Sequence, residues 1–262
     1  MRLRLVFLTI FLTGGLSLSG FSDSSWNEKK GHHFIVYSQK DSSFAERILE
    51  KADDIYQDEI RYFGSLPEQN FWSWDNRCKI YLYESQDAYL TATKQPDWSS
   101  GFADIHERAI VSYENAPDFL DMVLPHEMAH LIFREFVETN NRQVPRWLDE
   151  GFAISQERRA RLYLDEAIKR AVSSGHSIPI SEFNRLSAMH STPTDQAKLF
   201  YAQAQSLTRF LIERRDNSYF LNFCRSLRDG TNFEEALRKG YKEEFSSTET
   251  LEKKWKKFVM AS

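Results

Sequence analysis

Two stretches decide how this chain is read: Leu124-Pro125-His126-Glu127-Met128-Ala129-His130, and Pro145-Arg146-Trp147-Leu148-Asp149-Glu150-Gly151-Phe152-Ala153. The first holds the pattern H-E-x-x-H inside a run of helical period. Side chains four apart leave a helix on the same face, so His126 and His130 can aim their imidazoles at one ion, with Glu127 beside them in reach of a water on that ion. Leu124, Met128, Leu131 and Ile132 cover the other faces with apolar groups, which buries the helix. A buried pair of imidazoles flanked by a carboxylate calls for a compensating charge, and a divalent cation supplies it. A third protein ligand is then required. The pattern that adds a Gly and a third His just downstream is excluded, because Phe133 and Phe136 stand at those positions. Glu150, on the second stretch, is the candidate.

Outward from these two segments the pattern divides. Upstream it is mixed. Phe34 to Tyr37 reads as a strand, and Ser43 with Glu46 forms a capping box opening a helix whose apolar positions 44, 48, 52, 55 and 63 lead to a stop at Gly64. Cys78, Ile80 and Leu82 alternate with Lys79, Tyr81 and Tyr83, the period of a half-buried strand. A helix over Gln86 to Lys94 ends before Pro96, and two strands, Gly101 to Ala103 and Ala109 to Tyr113, flank a polar turn. Downstream the period is helical: 118–137, 147–156, 161–173, 196–214, 218–227, 233–239 and 248–259. The fold class expected is α+β, with a lobe over 30–157 that carries a small mixed sheet and the motif helix, packed on a helical lobe over 158–262. The change of role is placed at Glu157 to Arg159. Ala109 to Tyr113, just before the motif helix, reads as an edge strand, either one that pairs with an extended peptide or, given its short length and the Pro117 that follows, a plain structural edge.

With both motifs in place, the sequence resembles the gluzincin metallopeptidases, in which a second helix supplies a Glu as third zinc ligand about twenty residues after the second His. Trp147-Leu148-Asp149-Glu150-Gly151-Phe152-Ala153 is similar to the W-L-x-E-G-F-A signature of aminopeptidases related to leukotriene hydrolase, and the chain as a whole, from about His33 to Val259, resembles bacterial peptidase MA-like proteins. The resemblance implies a zincin-like catalytic lobe and one zinc ion per chain, held by His126, His130 and Glu150, with Glu127 as general base. It also implies a role for Tyr201, which opens Tyr-Ala-Gln-Ala-Gln-Ser-Leu-Thr-Arg-Phe-Leu and matches the Tyr that donates a hydrogen bond to the oxyanion; the plain alternative is a core tyrosine. Two positions depart from the pattern. Gly101-Phe102-Ala103-Asp104-Ile105 stands where aminopeptidases carry the amine-gripping G-x-M-E-N, and Ile154 stands where thermolysin-like enzymes place an Asp behind the metal. The expected activity is therefore endopeptidase, with the support for the ligands coming from elsewhere.

Composition narrows the setting. With 262 residues, 41% hydrophobic, the chain carries enough apolar material for a core. A net charge of -4 with interspersed signs gives no electrostatic case for a nucleic-acid partner; the metallopeptidase resemblance implies a peptide or protein substrate. Met1-Arg2-Leu3-Arg4, the apolar run Leu5 to Leu12 and the small residues through Gly20 have the order of a secretory signal, which predicts export to the periplasm or the exterior and no lasting membrane span; an uncleaved anchor is the rival. Oligomeric state has no signature. Cys78 and Cys224 read as two separate buried thiols, with a disulfide as the alternative. Two other functions fit the same motif. One is a non-catalytic binding protein that uses zinc as a clip, against which an intact Glu127 argues, and the other is an amide hydrolase acting on cell-wall peptides.

Overall fold

The computed structural model describes residues 26–63, 72–137, 143–157, 161–186 and 195–262. The expected signal at 1–20 and the helix stop at Gly64 lie outside them, as does most of the expected lobe boundary at Glu157 to Arg159. The chain divides into two compact units, Met1–Leu131 and Ile132–Ser262.

The first unit is built on a mixed five-stranded sheet of order β1-β2-β3-β5-β4, formed by β1 (Asn27–Lys30), β2 (Phe34–Ser38), β3 (Cys78–Tyr83), β4 (Gly101–Asp104) and β5 (Ala109–Tyr113). The central pairs, β2 with β3 and β3 with β5, are parallel; β1 and β4 close the two sides antiparallel. Alternation along each strand sends Phe34 and Cys78 to one face and Tyr37, Tyr81, Tyr83 and Tyr113 to the other. Helix α1 (Ser43–Ile60) covers the first face, where the Tyr56 ring meets Phe34 edge-on. Helix α2 (Gln86–Thr93) sends Tyr89 onto Tyr83, Phe102 and Tyr113 on the second.

Three expectations are corrected. β5 is no edge: it sits between β3 and β4, because the antiparallel return of β4 covers its outer side. β3 is more buried than simple alternation predicts, since Trp26 packs edge-on against Tyr81 and Tyr83, and Tyr37 stacks on Tyr81 at 5.0 Å. That burial pushes the Tyr81 hydroxyl up to about 12. The capping box at Ser43 does not form, because Ser42 occupies the N-cap and makes no side-chain cap bond, which leaves Ser43 as the first helical residue. At the other end α1 tightens into the 3-10 turn Arg61–Phe63.

Helix α3 (Leu124–Val137) begins in the first unit and ends in the second. The second unit is otherwise helical: α4 (Arg146–Gln156), α5 (Arg161–Ser173), the single turn α6 (Ile180–Phe183), α7 (Asp195–Glu213), α8 (Asn217–Arg228), α9 (Phe233–Tyr241) and α10 (Thr248–Ala261). Asp216, Asn232 and Ser247 cap the last three through side-chain oxygens that accept backbone N–H bonds. Trp147 stacks on Phe183, and Trp255 donates its indole N–H to Ser206. Cys78 and Cys224 are buried thiols and form no disulfide with each other. Among the described residues no helix is long and apolar enough to cross a membrane.

Glu59 lies on the buried face of α1, 2% exposed, with no hydrogen-bond partner for either carboxylate oxygen. Burial holds its carboxyl well above the ordinary value of 4.5, and the neighbouring Asp58 adds to the rise. An unfolded chain releases this proton near its ordinary value while the folded chain keeps it, so stability is full below that pH and falls as pH rises toward the folded value. Denaturant melts of Glu59→Gln should therefore gain steadily on the parent as pH rises above the ordinary carboxylate value. A difference that stays constant with pH would contradict the assignment.

Candidate metal centre

Backbone geometry aims the motif helix. Asp118 adopts a left-handed conformation (φ 55°), and the chain then winds through a wide π-type turn, Phe119–Val123, before tightening into α3 at Leu124. Such turns shift the register of the side chains that follow and recur at functional sites. Val123 packs where Gly101 opens β4: a Cβ on Gly101 would lie 2.9 Å from Val123 Cγ1 and 3.1 Å from the Val111 carbonyl. The Gly retained at this position is thus a contact requirement between the outermost strand and the start of the motif helix. The same end of β4 is tied down by Tyr89, whose hydroxyl hydrogen-bonds Ser99 at 2.6 Å. Burial pushes the Tyr89 hydroxyl well up, and the Glu127 carboxylate adds to the rise, so the field of Glu127 reaches this anchor.

His126, Glu127, His130 and Glu150 are all buried, His126 the most exposed of them at 4%. His126 Nε2 and His130 Nε2 stand 3.1 Å apart. One ligand atom from each of His126, His130 and Glu150 lies within 4.8 Å of the other two, and among the described residues no other group of three such side chains does so. These three could hold a metal ion. Each expected ligand is in this group; Glu127 follows His126 on the helix.

A charged set not anticipated from the sequence surrounds Glu150. Asp149, fully buried, accepts hydrogen bonds at Oδ2 from Arg134 Nε (3.0 Å), Arg134 Nη2 (2.9 Å) and Arg146 Nη1 (3.0 Å). Arg146 Nη2 stands 2.6 Å from Glu150 Oε1. One signal could have found the pair, since Arg146 lies four residues before Glu150, on the same helical face. Tyr201 is on α7, 4% exposed. It lies three and seven residues before Ala204 and Thr208, the two residues that Gly151 meets, so it belongs to the stripe of α7 that faces α4.

The sequence profile described as Peptidase MA superfamily matches residues 72–261. The chain belongs to the Peptidase MA superfamily. The match takes in both motif helices and Tyr201 and leaves β1, β2 and α1 outside, so it starts later than the resemblance from about His33. The α+β architecture, ten helices among the described residues with a small mixed sheet, is consistent with the zincin-like fold expected of this superfamily. No curated protein matches the chain.

The Gly in this superfamily member's Glu-Gly pair has a steric reason. A Cβ on Gly151 would collide with the Thr208 hydroxyl and the Ala204 carbonyl of α7, a backbone that cannot swing aside. Gly151→Ala should therefore cost at least about 1–3 kcal/mol in a denaturant melt, and by displacing α4 it should weaken metal uptake at Glu150. Parental stability with parental uptake would contradict the close helix crossing.

Proposed function

We propose that the chain is a zinc-dependent peptidase of the endopeptidase type, with one zinc ion per chain at His126, His130 and Glu150. The observation that carries this reading is the convergence of those three buried side chains with Glu127 next in sequence to His126. The donor set fits the ion. Two nitrogens and a carboxylate oxygen suit zinc over the hard cations, which prefer oxygen alone. In a tetrahedral shell with bonds of about 2.0–2.1 Å two nitrogens stand roughly 3.3 Å apart, and the 3.1 Å between the imidazole Nε2 atoms is close to that value.

When bound, zinc supplies Lewis acidity, which polarises a substrate carbonyl and brings the pKa of water down from about 16 toward about 7. The chain's own groups do the rest. Glu127 takes a proton from the attacking water and passes it to the leaving amine, so the amide and water become a carboxylic acid and an amine with no other reactant. Tyr201 donates its hydroxyl hydrogen to the oxyanion formed at the carbonyl. Because β5 is internal to the sheet, pairing of substrate against it has no part in this reading. A buried carboxylate beside the ligands serves no purpose in a purely structural zinc clip, which favours an enzyme over a binding protein. The order of basic, apolar and small residues over 1–20 supports export.

Purified protein should bind one zinc per chain, and His126→Ala or His130→Ala should abolish that binding; full occupancy in either variant, measured by elemental analysis, refutes the site. Glu127→Gln keeps shape and removes the base, so zinc should stay while cleavage of a peptide library falls roughly a hundredfold or more. An unchanged rate assigns the base elsewhere. Tyr201→Phe deletes one hydroxyl, and if that hydroxyl serves the oxyanion kcat should drop roughly a hundredfold, about 3 kcal/mol, with little change in melting. A variant that loses about 1 kcal/mol of stability and keeps its turnover would make Tyr201 a core residue.

A further inference from the structure

Glu150 sits at the centre of a charge arrangement that packing alone does not require. Its neighbour Asp149 is fully buried and directs one oxygen, Oδ2, at two guanidinium groups. Arg134 brings two N–H groups to that oxygen from α3. Arg146 brings a third and turns its other arm to Glu150 Oε1 at 2.6 Å. A guanidinium is a rigid planar fork, so fixing one arm on Asp149 fixes where the other points. Arg146 is only 14% exposed along its side chain, which leaves little room for other rotamers.

We propose that Arg146 is a positioning residue for the metal: anchored on Asp149, which Arg134 in turn holds, it grips Glu150 by Oε1 and presents the other oxygen, Oε2, for ligation. The proposal rests on the metal-site reading above. It adds the group that orients the carboxylate ligand. The contact is an ion pair, and at 2.6 Å the attraction draws one carboxylate oxygen to the guanidinium and away from the other ligands. Partners that orient a metal's ligands in this way typically contribute about tenfold to hundredfold in affinity.

A different role for the same residue predicts the opposite. If Arg146 merely neutralises Glu150 when no metal is bound, it competes with the ion, and removing it should leave affinity unchanged or raise it. Zinc dissociation constants measured by chelator competition on the full chain therefore separate the two without any assay of turnover. Arg146→Met keeps the aliphatic stem and should weaken zinc binding about tenfold to hundredfold. Arg134→Met, which loosens Asp149 and so acts on Glu150 at one remove, should give a smaller loss of the same sign. Arg146→Lys carries the test if Arg146→Met does not fold, because an ammonium can pair with one carboxylate but cannot span both; it should also bind zinc more weakly than the parent. Parental or tighter affinity in the folded Arg146 variant overturns the proposal while leaving the zinc site intact. A parent chain that takes up no zinc overturns the site and the proposal together.

Discussion

Two imidazoles and a carboxylate brought within 4.8 Å of one another and buried impose a demand that much of the chain is arranged to meet. Ionised groups are costly to take out of water unless matched by an opposite charge, and near such a cluster that match comes from a cation, an ion pair or both. Here both routes are provided. The histidines and Glu150 stand where they could share an ion, and the acid next to Glu150 is matched by Arg134 and Arg146. Once those pairs exist, the geometry around them has little freedom. Gly101 must stay small where β4 meets Val123, and Gly151 must stay small where α4 crosses α7.

Much of this was legible in the sequence, because the signals concerned are periodic or spaced. His126 and His130 share a helical face by spacing alone, and Glu150 was marked by its flanking residues. The helices from α4 onward that were expected lie within a residue or two of their expected bounds, α5 at both of its ends, whereas α3 starts at Leu124 and not at 118. What stayed hidden depends on partners distant in sequence. Alternation cannot say that the outward face of β3 is roofed by Trp26, Tyr37 and Tyr89. It also cannot say that β4 folds back outside β5, which moves the sheet's margin one strand away from where local order suggests.

The site was legible in its ligands and obscure in their support. Ile154 showed that the usual acid behind the metal was missing but not what replaced it. Asp149, a residue inside the recognised motif, holds Arg134 of the motif helix and Arg146 together, and only the packing of α3 near α4 shows that one carboxylate oxygen serves both guanidiniums. The π-type turn before α3 was likewise unreadable, because residues 118–137 carry one continuous apolar period and a single inserted residue leaves that period almost unchanged. Glu59 is the converse case. Its place on the buried stripe of α1 follows from its spacing from Ile55 and Ala52, and the unpaired burial of a carboxylate there is a tertiary fact.

The central claim is that one ion is held by two imidazoles and a carboxylate, and X-ray absorption at the zinc edge of the loaded protein tests it most directly. The account predicts a first shell of four nitrogen and oxygen atoms at about 2.0–2.1 Å, with the outer-shell scattering of two imidazole rings. A sulfur shell near about 2.3 Å, or a shell with no imidazole signature, would contradict it.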